Sequence, residues 1–268
     1  SLRLNSAQIS NEIEKFGAHL DLNSTLDFVV ITLECLTKHL PNLLPLLFEL
    51  LYTPTFPEDE FKILKNIKSQ QIRVNKEKTN ILASIKFREI LFGINHPYGK
   101  DLTVKDIDNL SISDVKEFYN DYFKSDFEII VSGKPSADTF SLLNEYFGKN
   151  TVVQKKETDL PKEDDSSNEK LTIVDKKKNI QSSIRLGKKL FKKTHPDIID
   201  VLVLSEILGG YFGSRLMKNI REEKGYTYGI SSSLITLKNE GFFIIGTDVN
   251  KENTQNTIDE ILKEIKVL

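Results

Sequence analysis

Hydrophobic residues recur with helical spacing in some segments of the chain and with alternating spacing in others. Apolar positions three or four apart indicate an amphipathic helix, whereas alternation indicates a strand with one buried face. Helices are predicted at residues 6–17, 41–51, 56–92, 113–123, 136–147, 197–208 and 253–267. Strands are predicted at 18–24, 26–36, 127–131, 171–174, 180–188, 231–237 and 241–248, the last two forming a hairpin.

A charged stretch at residues 151–170 separates two series in which strands and helices recur in a similar order. Its lysines, acidic residues and serines predict a solvated connector. A metal site from Glu163, Asp164 and Asp165 is an alternative, but a charged linker is far more common for such a composition. We therefore predict an N-terminal domain at 1–150, a linker at 151–170 and a C-terminal domain from 171 to 268.

Composition removes several classes of function. The net charge of -2 over 268 residues gives no electrostatic reason to expect a nucleic-acid or membrane partner. No apolar run approaches the length of a membrane span. With Cys35 as the single cysteine, neither an intrachain disulfide nor a cysteine-based metal cage can form. The glycine-rich residues 209–213 lack the P-loop lysine and the dinucleotide fingerprint, so a nucleotide site is not favoured.

Residues 208–230 carry the most informative pattern in the chain. The pair Gly209 and Gly210 can end one helix, and a second helical stripe then runs to a turn at Gly225. A β-branched and aromatic sequence follows, which favours a strand. Arg221 is therefore predicted near a helix end and Tyr228 just inside the next strand, so that a guanidinium and a phenol can be aimed at one point.

This stretch resembles the arginine–tyrosine motif of the insulinase and mitochondrial-processing-peptidase family, the zinc peptidases with an inverted His-x-x-Glu-His motif. The matching runs are Phe-Gly-Ser-Arg-Leu and Ile-Arg-Glu-Glu-Lys-Gly-Tyr-Thr-Tyr. The resemblance implies that Arg221 and Tyr228 bind substrate at the zinc site. It also implies an α+β fold of two similar domains, each a mostly antiparallel sheet packed with helices. Further landmarks are the helix at Ser6, the Pro54-Thr55-Phe56 junction, the His96-Pro97 loop and Gly133.

The zinc motif itself is not found. The four histidines, His19, His39, His96 and His195, stand apart from one another, and no His-x-x-Glu-His occurs. In the resembling family this motif lies just upstream of the helix at Ser6, which places it before residue 1. We therefore expect a fragment of a longer protein, truncated at both ends.

One position bears on whether the chain holds zinc. By the same resemblance, the third zinc ligand and its supporting glutamate fall on Gln71 and Leu64, which share a helix face seven residues apart. A neutral amide is a poor zinc ligand, and leucine supports nothing polar. Asp21 also stands where active relatives usually carry asparagine.

The resulting hypothesis is a non-catalytic subunit of a heterodimeric, bacterial member of the family. It predicts no cofactor in this chain, zinc in a homologous partner subunit, and an extended peptide substrate bound through Arg221 and Tyr228. Two alternatives stay open. One is a catalytic zinc endopeptidase whose His-x-x-Glu-His segment lies outside this fragment, and the other is a non-proteolytic scaffold subunit. The low cysteine count agrees with a bacterial cytoplasm and does not exclude a periplasm, so the sequence does not assign a compartment.

Overall fold

The computed structural model describes residues 3–123, 127–148, 171–176 and 179–268. Its α-helices are α1 (Ser6–Glu14), α2 (Leu40–Tyr52), α3 (Glu58–Glu77), α4 (Thr79–Phe92), α5 (Val104–Asn109), α6 (Ile112–Phe118), α7 (Ala137–Phe147), α8 (Ile198–Ser205) and α9 (Thr254–Val267). Its strands are β1 (His19–Ser24), β2 (Val29–Glu34), β3 (Gln181–Leu190), β4 (Thr227–Thr236) and β5 (Gly241–Asn250). Three π-helical segments occur at Tyr119–Phe123, Glu206–Gly210 and Met217–Glu223.

The described residues form two compact units, one from within 1–68 and 105–159, the other from within 69–104 and 160–268. The predicted α+β class of helices packed with antiparallel sheets is confirmed. The predicted linker 151–170, with Glu163, Asp164 and Asp165, lies outside the described residues. Among the helices that are described, none is long and apolar enough to cross a bilayer.

In the first unit, β1 and β2 form an antiparallel hairpin beside α1 and α2. Its core is centred on Ile13, Ala18 and Leu43. Aromatic rings join α2 to the end of α7: Phe48 stacks on Tyr52 at 4.7 Å between centroids and meets Phe147 edge to face at 5.8 Å. The prediction that strand 26–36 is well buried is wrong, because Val29 and Val30 are about half exposed at 46% and 48%.

The second unit is built on a three-stranded antiparallel sheet in the order β3-β5-β4. The central strand β5 pairs with β3 along its whole length, from Gln181 opposite Asn250 to Leu190 opposite Gly241. The main core is formed by buried aliphatic residues from the sheet, from the helical part of residues 208–230, and from α9. These residues are Leu208, Leu216, Ile220, Ile230, Ile245 and Ile261. Helix α4 packs on β3 through Phe87, whose ring lies 5.9 Å from that of Phe242.

Four further sequence predictions need correction. The long helix at 56–92 is two helices, because Lys78 adopts an extended conformation with φ -86° and ψ 122° between α3 and α4. Residues 127–131 and 171–174 form no strand and are exposed, with Ile130 87% and Ile173 79% accessible. The cap of α6 is Ser111 instead of Ser113, and α5 was not predicted.

Candidate functional site

The helix that leads into β4 is α-helical only at Arg215 and Leu216 and is π-helical from Met217 to Glu223. Its π-helical turn Met217–Glu223 ends where the Lys224 amide donates to the carbonyl of Asn219, at 3.0 Å. The Tyr226 amide then donates to the Ile220 carbonyl at 3.0 Å, across Gly225 with φ +65°. Glycine is needed there because a left-handed φ is costly for other residues. The predicted helix end at Lys224 and Gly225 is therefore confirmed. The sequence did not predict that the last turns are π-helical, a geometry that is frequent at functional sites.

Arg221 lies in this π-helical turn. Its guanidinium carbon is 4.4 Å from the centroid of the Phe212 ring, a cation–π contact. It makes no hydrogen bond or ion pair with any residue that the structure describes. The ring thus holds the guanidinium through its face, while the N–H donors stay available to a ligand.

Tyr228 occupies a β-bulge at the start of β4. Thr227 pairs with Val249 and Ile230 with Thr247, so three steps along β4 oppose two along β5. The Thr247 hydroxyl lies 2.9 Å from the Thr227 hydroxyl, and the Gly229 amide donates to the Thr227 hydroxyl at 3.1 Å. Bulges redirect side chains, and here the Tyr228 side chain is 95% exposed.

The C-terminal helix α9 fixes the π-helical turn by polar contacts. The Asn219 amide nitrogen donates to Glu260 at 2.9 Å and to Glu264 at 2.8 Å. Arg215 donates to the same Glu264 carboxylate at 2.9 Å. The hydrogen bond from Asn219 is the first cause of a lowered pKa for Glu260, with Lys224 and Lys263 adding to it against desolvation. These carboxylates therefore anchor the segment that carries Arg221.

The motif glycine Gly209 allows the preceding π-helical turn to lie directly against β4. A Cβ at this position would stand 2.5 Å from the backbone nitrogen of Ser232. The Ser232 hydroxyl donates to the carbonyl of Ser205 at 2.6 Å, which ties the end of α8 to the same strand. The end of α8 and the π-helical turn that follows it therefore both contact β4 at Ser232.

The residues predicted at the zinc-ligand positions do not form a metal site. Leu64 and Gln71 are both exposed on α3, and Leu64 is 53% accessible. No group of three or more histidine, cysteine, aspartate or glutamate residues within the described part of the chain could hold a metal ion. His96 is buried and its Nδ1 accepts the Tyr98 amide at 3.1 Å, while His195 stacks on Phe191 at 3.9 Å. The described residues therefore offer no set of donor atoms that fits zinc.

Sequence reasoning placed Arg221 at a helix end and Tyr228 in the following strand, and both placements are confirmed. That the two groups converge on one ligand stays a prediction. The contribution of Phe212 was missed, although its place in the Phe-Gly-Ser-Arg-Leu run was a signal. The Thr227–Thr247 contact was also missed, because it depends on a register shift that the sequence does not encode locally.

Comparison with known proteins gives consistent matches. Residues 1–92 match the family model described as Insulinase (Peptidase family M16), and residues 109–268 match the model described as Peptidase M16 inactive domain. The "Uncharacterized zinc protease YmxG" of Bacillus subtilis (strain 168) is 26% identical over 265 residues, which are 97% of this chain and 64% of that protein. The "Non-peptidase homolog YmxG" of Helicobacter pylori is 25% identical over 226 residues, 81% of this chain and 51% of that protein.

Two solved structures share the fold. The peptidase M16 inactive domain from Pseudomonas fluorescens has a TM-score of 0.79 at 23% identity, covering 98% of this chain and 65% of that one. A protease from Helicobacter pylori has a TM-score of 0.79 at 19% identity, covering 98% and 66%. The chain thus spans between 51% and 66% of the length of these four relatives.

Proposed function

Because this chain belongs to the insulinase family, peptidase family M16, we propose that it is a non-catalytic member that binds peptide substrate for a zinc-bearing homologous subunit. The observation that carries this proposal is the Tyr228 phenol, 95% exposed on a β-bulge seven residues after an arginine whose donors are unused by the described residues. Tyrosine is enriched at contact surfaces, because it combines a large apolar ring with a hydroxyl that can form hydrogen bonds.

Arg221 and Tyr228 offer complementary hydrogen-bonding groups to a peptide. The guanidinium is charged at all physiological pH values and presents a planar set of donors, whereas the phenol is a neutral donor and acceptor. Both suit the carbonyl groups of an extended substrate. They would hold the scissile region in place and stabilise negative charge that develops on its oxygen. The zinc chemistry itself belongs to the partner in this proposal.

The position of β4 supports substrate binding in an extended form. In the order β3-β5-β4 this strand is at an edge of the described sheet, and it begins at the bulge that carries Tyr228. An edge strand presents unpaired backbone groups with which an extended peptide can pair, while neighbouring side chains select its sequence. Main-chain pairing along β4 would bring substrate carbonyls past the Tyr228 hydroxyl.

Two observations favour a non-catalytic role. The positions predicted for the third zinc ligand and its support carry Gln71 and Leu64, both solvent-exposed. The Helicobacter pylori relative is named a non-peptidase homolog, and the model that covers residues 109–268 is described as an inactive domain. A chain with these features can still bind the substrate on which a partner acts.

The test is a cleavage assay in which this chain is reconstituted with a zinc-bearing homologous subunit from the same cells. Arg221→Ala and Tyr228→Phe should each lower the rate of cleavage of a quenched fluorescent peptide by about tenfold or more, as loss of a transition-state donor does. Lys218→Ala removes an exposed cation from the same π-helical turn and serves as the matched control. Gel filtration should show that all variants still form the complex.

Unchanged turnover in both variants would refute the substrate-binding role. A second candidate, a catalytic zinc endopeptidase, is favoured by the name of the Bacillus subtilis relative, a zinc protease. Stoichiometric zinc in the purified full-length protein, together with cleavage in the absence of any partner, would establish that candidate instead. Complex formation without any cleavage would point to a scaffold subunit.

A further inference from the structure

A cavity lies within the second unit, and neither Arg221 nor Tyr228 lines it. It has a volume of about 330 Å³ and is bounded by the C-terminal part of α3, one side of α4, the loop at 101–102 and Arg185 of strand β3. Its walls combine aliphatic side chains with the cations Lys76, Arg88 and Arg185 and the carboxylate Asp101. This volume falls in the range of sites that hold small organic ligands.

Two of the three cations already have partners. The Lys76 ammonium lies 3.2 Å from the Asp101 carboxylate. Arg185, whose side chain is 14% exposed, donates from Nε to the Ser84 hydroxyl at 2.9 Å and from its other nitrogens to the Asn80 and Ile184 carbonyls. Its guanidinium is also 3.7 Å from Asp248. Both cations are thus held in fixed positions, and their charges are largely balanced.

Arg88 is the exception. Its Nε is fully buried and has no hydrogen-bond partner, and the guanidinium forms no ion pair with any described residue. A buried charged donor without a partner is unfavourable, so native proteins normally satisfy such groups with protein, water or ligand. Arg88 also lines the cavity, so an anion bound there would lie beside its guanidinium group.

We propose that this cavity binds a small organic oxyanion, a carboxylate or phosphate group on an apolar body, with Arg88 as its principal charged contact. The planar guanidinium matches the two oxygens of such a group, which accounts for an arginine at this place. The apolar body would lie against the aliphatic wall formed by residues such as Ile72 and Ile85. Asp101, already paired with Lys76, would repel ligands with a second anionic group on that side.

The cavity is preorganised by contacts between α4 and β3. The Ser84 hydroxyl, which accepts from Arg185, itself donates to the Asn80 carbonyl at 2.9 Å. One turn earlier, the Ser183 hydroxyl donates to Thr79 at 2.9 Å. A wall fixed in this way loses little freedom when a ligand binds. The proposal does not depend on the peptide-binding role of Arg221 and Tyr228.

The test uses the 268-residue chain and three probes that share one alkyl tail: hexanoate, hexyl phosphate and hexylammonium. Isothermal titration calorimetry should detect binding of at least one of the two anions and none of the ammonium ion. The two anions separate carboxylate from phosphate recognition. The affinity should fall as the NaCl concentration is raised, because screening weakens a charge contact.

Arg88→Met should reduce the affinity for the preferred anion by about tenfold or more, as expected when a charge-assisted contact is removed. Arg73→Met removes an exposed arginine from α3 outside the cavity and should change the affinity by less than about twofold, as surface sites away from a ligand do. Absence of binding by both anions, equal binding of hexylammonium, or full affinity in Arg88→Met would each overturn the proposal. If Arg88→Met fails to fold, the preference of the unmodified chain for the anions over hexylammonium still tests the proposal.

Discussion

Substitution of Gly209 by alanine tests how tightly the motif segment is packed on the sheet. The added Cβ would stand 2.5 Å from the Ser232 nitrogen, 2.8 Å from its hydroxyl and 3.1 Å from a methyl group of Leu216. Contacts under 3.0 Å are essentially never seen for real Cβ atoms, so the structure must shift. Ser232 cannot retreat freely, because β4 pairs there with β5 opposite Ile245.

The magnitude follows from two opposing effects. Inserting a methyl group into a packed interior costs about 1–3 kcal/mol. Replacing glycine by alanine in a helical segment returns about 0.5–1 kcal/mol, because the unfolded chain loses freedom. Because the 2.5 Å contact is with backbone, we take the upper part of that cost, about 2–3 kcal/mol. We therefore expect Gly209→Ala to lower the free energy of unfolding by about 1–2.5 kcal/mol, and Tm by roughly 2–10 °C for a chain of this size.

The assay is urea unfolding followed by circular dichroism, with thermal unfolding as a second measurement. Gly229→Ala is the matched control, because a Cβ there meets nothing within 4 Å and its φ is outside the left-handed region. That variant should differ from the unmodified chain by less than about 0.5 kcal/mol. The argument would be refuted if Gly209→Ala were as stable as the unmodified chain or more stable, or if both variants lost the same stability. The close approach of Gly209 to β4 would then not be the reason for a glycine at this position.

Two further predictions concern carboxylates with lowered pKa values. The pKa of Glu260 is depressed chiefly by the hydrogen bond from Asn219, so its stabilisation is complete above the unfolded-state pKa and is lost as pH falls through the lower folded value. Glu260→Gln should therefore flatten the acid side of the stability–pH profile in urea unfolding between pH 7 and pH 3, and an unaltered profile would contradict this. Ser111 and Asp114 form a capping box that lowers the pKa of Asp114. Ser111→Ala should cost about 1 kcal/mol in the same assay while Ser111→Asp retains most of the stability, and equal losses in both would refute the cap.

The sequence could predict elements whose signals are local. The helix stop at Lys224 and Gly225 was predicted because a left-handed glycine after a cation is a local signal, and the structure confirms it. The hairpin of β4 and β5 was likewise predicted from two β-rich runs around a polar turn.

The break between α3 and α4 could not be predicted in this way. Residues 76–79 contain neither proline nor glycine, and Lys78 makes no side-chain cap. Contacts distant in sequence accompany the break, because Arg185 of β3 donates to the Asn80 carbonyl in the first turn of α4. Tertiary packing overrides helical propensity at such a place.

Two predicted strands are absent from the described residues, because a segment with strand propensity still needs a neighbouring strand to pair with. Residues 127–131 and 171–174 are rich in β-branched and aromatic side chains, but they join no ladder within the described residues. Propensity measures how a side chain fits a pleated surface, and it forms no strand unless a neighbouring strand supplies the hydrogen bonds. The bulge at Tyr228 could not be predicted for a similar reason, because it depends on the register between β4 and β5.

The π-helical turn at Met217–Glu223 stores one residue more than an α-helical turn would. The chain length of this segment is therefore itself a determinant of where the arginine points. Deleting one residue, Lys218, would let the turn rewind to α-helix, and the side chains within the turn would then point in different directions. Loss of Lys218 would preserve every side chain of the two motif runs and still move the guanidinium relative to the face of Phe212.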